Sequence, residues 1–259
     1  MSIEKRIKLK QLLSKWLDKS VATSKWLLEQ GVSAQLAKKY VENGWITSIG
    51  HGAFKKLDDN LFWQSGANAL QSQLGISIHI GGLSALSFHG VTHYVRFGKE
   101  NLFMFLPTAE HLPKWFHEYD WGTSITVVKT EFLPQEVGIK TFQEINLEIS
   151  YASIERAVLE LLYLAPKQID LIECYQIVEG LYNLRPSVMQ TLLEECTSVK
   201  VKRLFLFMAD KAKLPIMKYL NIEKINLGNG DRSIIAHGKY DSKYKLVLPE
   251  ELIKNERRI

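Results

Sequence analysis

Trp26-Leu27-Leu28-Glu29-Gln30-Gly31-Val32-Ser33-Ala34-Gln35-Leu36-Ala37-Lys38-Lys39-Tyr40-Val41-Glu42-Asn43-Gly44-Trp45-Ile46 decides the fold of the N-terminal fifth of this chain. Two short amphipathic segments meet at Gln30-Gly31-Val32, and a glycine in a tight corner between helices is the helix-turn-helix pattern. Ser33 is placed to cap the second helix, its hydroxyl accepting a free N–H of the first turn. With Leu36, Tyr40 and Val41 turned inward, Gln35, Lys38, Lys39 and Glu42 fall together outside. Gln pairs with adenine and Lys reaches guanine or phosphate, so this face is expected to read a DNA major groove.

Upstream, Leu9, Leu12, Leu13, Trp16 and Leu17 form the stripe of an amphipathic helix, and a second helix is expected from about Thr23 to Gln30. Downstream, Asn43-Gly44 stops the reading helix. Trp45–Ile49 and Ala53–Leu57 then read as two strands around Gly50-His51-Gly52, a ribbon in the position of a wing. The glycine tip permits close backbone approach to DNA, and His51, Lys55 and Lys56 are expected phosphate contacts. Charge agrees with this placement. Residues 1–57 hold 11 Lys and Arg against 4 Asp and Glu, a net +7, whereas the rest of the chain nets −2. Phosphate neutralisation dominates nucleic-acid affinity, so double-stranded DNA is the expected partner of this head.

Asp58-Asp59-Asn60 reverses the sign of charge and sets the expected boundary: a winged helix-turn-helix over 1–60 and a larger mixed α/β domain over 61–259. In the second part a helix is expected over Leu61–Leu74, then strands at Ile76–Ile80, Leu102–Leu106, Ser124–Thr130 and within Ile139–Ile149. Short helices separate them at Leu83–Phe88 and Pro113–Tyr119. From Ser153 the period turns helical, with helices after Ser153, over Leu171–Tyr182, from Pro186 and over Val201–Ala212. Strands return at Ser233–Ile235 and Tyr244–Leu248. Hydrophobic residues make up 46% and charged residues 24%, the balance of an ordinary globular protein. No apolar run approaches the ~20 residues of a membrane span, and Met1–Lys8 lacks a signal-peptide core, so the cytoplasm is the expected compartment. Cys174 and Cys196 lie in apolar helical patterns and suit neither a disulfide framework nor a zinc site.

Chemistry-bearing motifs are missing: there is no phosphate loop, dinucleotide fingerprint, His-Glu-x-x-His or nucleophile elbow. His79, His89 and His93 cluster loosely, as do His111 and His117, without matching Asp, Glu or Cys spacing for a metal. No catalytic residue, metal or cofactor is therefore expected. Lys200, Lys202 and Arg203 form a second basic cluster at the start of a helix, readable as a solvated face or as a partner or DNA-backbone contact.

Several segments of the larger domain resemble AbiEi-family antitoxins: Ser150-Tyr151-Ala152-Ser153-Ile154-Glu155-Arg156-Ala157-Val158-Leu159-Glu160-Leu161-Leu162-Tyr163, Glu179-Gly180-Leu181 with Leu184-Arg185-Pro186, and Ser198–Leu206. Gln73–Ile76, Gly81–Leu86 and Leu112–Phe116 are similar to earlier segments of that family, and the likeness runs from about residue 5 to 250. Ala152-Ser153 stands where proline is commoner. The resemblance implies the antitoxin half of a type IV toxin–antitoxin, or abortive infection, operon. Such a protein represses its own promoter at inverted repeats and opposes a nucleotidyltransferase-like toxin, with no catalytic site. Two other readings compete on the residues alone: a one-component regulator whose larger domain senses a small ligand, and a metal-dependent nuclease using the histidines.

Overall fold

The computed structural model describes residues 3–91, 101–144 and 146–254. The head runs α1 (Ile3–Lys15), β1 (Ala22–Thr23), α2 (Ser24–Glu29), α3 (Ala34–Glu42), β2 (Ile46–Gly50) and β3 (Ala53–Lys56). Its three strands form an antiparallel sheet in the order β1-β3-β2, with Ala22 opposite Phe54 and Ile46 opposite Lys56. That is a winged helix-turn-helix. Thr23 caps α2, its hydroxyl accepting from the Trp26 N–H at 3.2 Å. Gly31 turns the corner at φ +78°, a conformation that a Cβ disfavours. Leu12, Trp16, Leu27, Val32, Ala37, Tyr40 and Ile46 close a small core of the head's own.

The body is built on a mixed five-stranded sheet. In chain order its parts are α4 (Trp63–Asn68), β4 (His79–Ile80), α5 (Gly82–Phe88), β5 (Asn101–Leu106), α6 (Lys114–Glu118), β6 (Ser124–Lys129), β7 (Ile139–Glu144) and β8 (Leu147–Ala152). The strand order is β6-β5-β4-β8-β7, with β5–β6 and β4–β8 parallel and the other pairs antiparallel. Four helices follow: α7 (Ile154–Leu164), α8 (Leu171–Val178), α9 (Pro186–Glu195) and α10 (Val199–Lys211). A small sheet of β9 (Arg232–Ser233), β10 (Lys239–Asp241) and β11 (Leu246–Leu248), then α11 (Glu250–Ile253), ends the described chain. Ala157, Val158, Leu161 and Leu162 are completely buried on α7, which packs against α5, α8, α9 and α10 at the centre of the body.

Three sequence expectations change here. The strand expected over Ile76–Ile80 shrinks to His79–Ile80, because the preceding backbone is satisfied elsewhere. Ile76 N–H donates to Leu70 O, Ser77 N–H to the Glu110 carboxylate, and Ile78 O accepts from the Gln71 amide at 2.8 Å. The helix from Leu171 ends at Val178 rather than Tyr182, since Gly180 follows at once. The strand at Ser233–Ile235 contracts to Arg232–Ser233.

The short β4 leaves part of β8 without a strand neighbour, and α4 supplies the missing partners. Its helix continues as a π-helical turn over Ala69–Gln73. Asn68 Nδ2 donates to Glu148 O at 3.0 Å, and Gln71 Oε1 accepts the Ser150 N–H at 3.1 Å, so two side-chain amides stand in for a strand along β8. Gln73, roughly half a helical turn from Gln71, points the other way. Its Oε1 accepts the Thr23 N–H at 2.8 Å and its Nε2 donates to Val21 O at 2.6 Å, pairing with the free edge of β1 in the head. One helix thus joins the two sheets through amide side chains. Ser65 Oγ adds a bond to Lys19 O at 2.6 Å.

Candidate nucleic-acid interface

The exposed face of α3 follows from its capping and its period. Ser33 is extended (φ −68°, ψ 160°) and its hydroxyl accepts the Leu36 N–H at 3.3 Å. Ala37 and Tyr40 are buried, which leaves Gln35, Lys38, Lys39 and Glu42 exposed with the entire body in place. Lys38 lies 3.9 Å from Glu42, but both side chains are more than half exposed, so this ion pair is worth little and leaves the ammonium free to turn to another anion.

The wing is less free than its sequence suggests. At Gly50 (φ +146°) a Cβ would stand 2.7 Å from the Cβ of Trp115, so β2 lies directly on α6 of the body. His51 remains exposed at the tip. Lys55 and Lys56 are separated from it: the register sets Lys56 opposite Ile46, at the base of the ribbon. The Lys55 ammonium donates to Asp59 O at 2.6 Å, and the Lys56 ammonium pairs with Asp18 at 2.5 Å. A hydrogen bond and the charge of Lys56 hold the Asp18 carboxyl below its ordinary range. The head therefore presents Ser33, Gln35, Lys38 and Lys39 exposed on α3 and His51 exposed at the wing tip, while Lys55 and Lys56 brace the base of the wing.

The second basic cluster is not a surface. Lys202 and Arg203 are buried, and the structure corrects the reading of this cluster as an external contact. Arg203 donates to four main-chain carbonyls, those of Leu227, Gly228, Gly230 and Lys245, at 2.7–3.2 Å. The Lys200 ammonium donates to Tyr163 O and Ala165 O, capping the last carbonyls of α7, and burial lowers its pKa. A chain segment with few strands of its own leaves carbonyls that need donors, and a guanidinium offers five N–H groups.

The histidines also disperse. His79 is buried against Glu160, His89 Nε2 bonds to Ala152 O at 2.8 Å, and His111 and His117 are exposed; His93 lies outside the described residues. Among the described residues no three His, Cys, Asp or Glu side chains converge as a metal site. Sequence reasoning missed two ion-pair centres on α7. Glu155 is buried, yet Arg185 donates to it at 2.7–3.0 Å and Ser153 at 2.8 Å; together they outweigh burial and hold its pKa at about 2. Glu160 is fully buried. It accepts from His79 Nε2 at 2.7 Å, Arg156 Nε at 2.8 Å and the Gly82 N–H at 3.0 Å. Burial pushes its pKa up, but the charges of His79 and Arg156 prevail and the carboxyl stays ionised, below its usual range. The only advance signal was the i, i+4 spacing of Arg156 and Glu160 inside an apolar helix.

Residues 5–97 match the family described as "Transcriptional regulator, AbiEi antitoxin N-terminal domain", and residues 99–249 match "Transcriptional regulator, AbiEi antitoxin, Type IV TA system". The chain belongs to the AbiEi antitoxin family. As an AbiEi antitoxin it is a transcriptional regulator of a type IV toxin–antitoxin system, which implies DNA and a cognate toxin as partners, and the family is not one of known enzymes. No curated protein matches the chain. Among solved structures, the RV2827C protein from Mycobacterium tuberculosis has a similar fold, with a TM-score of 0.58 at 12% identity over 93% of this chain and 89% of that one. Among the described residues of this AbiEi antitoxin, no helix is long and apolar enough to cross a membrane. Segments that carry the resemblance meet one another at Gly82 and Glu160 and at Arg185 and Glu155, and they meet the head where Gln73 pairs with β1 and Trp115 packs on Gly50.

Proposed function

We propose that this antitoxin represses its own promoter by laying α3 in the major groove of inverted repeats. Gln35, Lys38 and Lys39 face the base edges and adjoining phosphates, Ser33 the backbone at the helix N-terminus, and His51 the phosphates beside the wing. Lys55 and Lys56 keep the wing in position from its base. The observation that carries this reading is the uncovered polar face of α3, left open by the packed body at the most basic end of the chain. The body, taken from about residue 61 onward, opposes a nucleotidyltransferase-like toxin, and the protein acts in the cytoplasm and performs no catalysis itself.

Gel-shift binding of the full chain to its own upstream DNA across a salt series tests the head. Log affinity should fall linearly with log salt, and removing both lysines should lessen the slope by about 2. Replacing Gln35, Lys38 and Lys39 together by Ala should abolish specific binding; survival of that binding would falsify the assignment of α3. The same full-length variant should still protect cells that co-express the neighbouring toxin, because none of the three side chains touches the body. Loss of protection along with DNA binding would place antitoxin activity in the head.

A further inference from the structure

Positive charge returns at one place in the body. Residues 58–210 hold 11 Lys and Arg against 18 Asp and Glu, a net −7, whereas residues 211–245 hold 8 against 3, a net +5. All eight of these cations except Lys211 are exposed, and among the described residues Lys243 alone is ion-paired, with Asp210 at 2.6 Å. The stretch contains the small sheet of β9, β10 and β11. Backbone pairing sets Arg232 beside Lys245, the Arg232 N–H donating to Lys245 O at 2.9 Å. A cationic surface set in an otherwise acidic body is suited to a polyanion.

The sheet has one buried face and one open face. Leu246 and Leu248 of β11 are fully buried, so Val247 between them points outward, opposite Tyr240 of β10 and Ser233 of β9. Tyr240 is 47% exposed, and its hydroxyl donates to Asp231 Oδ1 at 2.8 Å, at the entry to β9. β9 and β10 flank β11 on opposite sides, about 10 Å apart at the usual strand spacing. To reach Asp231, Tyr240 must therefore lay its ring across Val247, with one face on the sheet and the other in water. The second Asp231 oxygen has no protein partner among the described residues. Asp241, the other carboxylate of this sheet, is committed, since its Oδ2 accepts the Tyr244 N–H at 2.6 Å. The Arg232 guanidinium folds back onto the same loop and donates to Asn229 O and Asp231 O.

Three features on one face narrow the choice of polyanion. The cations ask for phosphate, but an acidic protein would satisfy them equally and leave the open ring unused. An exposed aromatic face among cations is a stacking platform for an unpaired base, which a duplex keeps inside its own stack. The free Asp231 oxygen can only accept, and beside a stacked nucleotide the hydroxyl available to it is the ribose 2′-OH, the group that separates RNA from DNA. We propose that the outer face of the β9–β11 sheet binds an unpaired stretch of RNA. A base stacks on Tyr240, Arg232 and Lys245 take the flanking phosphates, and Asp231 accepts the 2′-hydroxyl. This site does not depend on how α3 meets DNA, and its failure leaves that reading intact.

Fluorescence anisotropy of the full-length protein with labelled oligouridylate and oligodeoxyuridylate, which differ only in the 2′-hydroxyl, tests the site. Saturable binding of the RNA is expected, with the deoxy oligomer at least fivefold weaker. Tyr240→Ala, at an exposed position, should weaken RNA binding about 5- to 150-fold, the worth of one base–aromatic stack, whereas Tyr240→Phe keeps the ring and should stay within about threefold. Asp231→Ala should bring the two oligomers within about twofold of each other. Arg232→Gln with Lys245→Gln should lessen the salt slope by about 1.4. Binding of duplex DNA by the head should stay within about twofold in all of these variants. The proposal is overturned if oligouridylate does not bind saturably, if the deoxy oligomer binds as tightly, if polyglutamate displaces the RNA as readily as unlabelled RNA does, or if Tyr240→Ala leaves RNA affinity unchanged.

Discussion

Gln73 makes a sharp test of how head and body are joined, because a single side chain pairs with the free edge of β1. Gln73→Ala deletes the acceptor of the Thr23 N–H and the donor to Val21 O. Val21 is 0% and Thr23 2% exposed, so both groups would be left short of a partner in a dry setting. A buried polar group without its partner costs about 1–3 kcal/mol, giving about 2–6 kcal/mol for the two. Beside Gln73 lies a cleft of about 440 Å³ between head and body, lined by Trp16, Asn68 and Ser72, through which water can reach the gap. That relief points to the lower part of the range, about 2–3 kcal/mol, a sizeable share of the ~5–15 kcal/mol that holds a domain folded. Because the loss is local, it should appear first in hydrogen exchange. Protection of the Thr23 amide should fall about 30- to 150-fold, at 1.4 kcal/mol per tenfold, while the Ser150 amide, held by Gln71, keeps its protection. Asn68→Ala should do the reverse, loosening β8 and sparing Thr23. If Thr23 exchange in Gln73→Ala rises less than threefold, the amide is not what holds β1 to the body.

Two further outcomes follow from the buried ionic groups. The Glu155 pKa is held at about 2, below the ordinary carboxylate value near 4.5, so its stabilisation is fully present above pH 4.5 and is lost as pH falls toward 2. Discounted for the 45% exposure of Arg185, this is about 2 kcal/mol; the urea midpoint gap between wild type and Glu155→Gln should narrow from pH 5 to pH 2.5, and a gap constant with pH would refute the linkage. Arg203→Met removes the donors to four carbonyls and should cost about 3 kcal/mol, with new protease cleavage within residues 226–231 and DNA affinity unchanged within twofold. A tenfold loss of DNA affinity in the folded variant would restore Arg203 as a DNA contact.

How much of this was legible in the sequence depends on the range of the interaction concerned. The winged head was readable because its determinants are local. The Leu12–Trp16 stripe, the Ser33 cap, the Gly31 corner and the alternation of β2 and β3 each involve residues a few positions apart. β1 was invisible, since two residues carry no period. The pairing of Asn68, Gln71 and Gln73 was not legible because period reveals a face but not what covers it, and their partners Glu148, Ser150 and Thr23 lie 50 to 80 residues away in sequence. The length of β4 failed for the same reason: whether Ile76–Ile78 continues a strand depends on Gln71 and Glu110, which settle that backbone's hydrogen bonds first. Lys55 and Lys56 were read by charge alone, and their partners Asp59 and Asp18 belong to a turn and a loop that pattern does not position.

The basic cluster Lys200–Arg203 and the α3 face show why charge misleads in one place and informs in another. A charged side chain is exposed by default because desolvating it is costly, unless hydrogen bonds replace the water. Around Arg203 the irregular segment over residues 226–231 supplies those bonds, since its carbonyls find few strand partners of their own. Nothing on α3 offers Gln35, Lys38 or Lys39 such an alternative, and they stay in water. The segments that resemble the AbiEi family follow the first pattern: Glu155 with Arg185, Glu160 with Gly82, Gln73 with β1 and Trp115 with Gly50 are contacts that hold the body together or hold the head to it. The resemblance is therefore carried by the frame. Gln35, Lys38, Lys39 and Glu42 on the outer face of α3 are exposed, so under the proposed reading exchanging them should redirect operator choice without loosening any part of that frame.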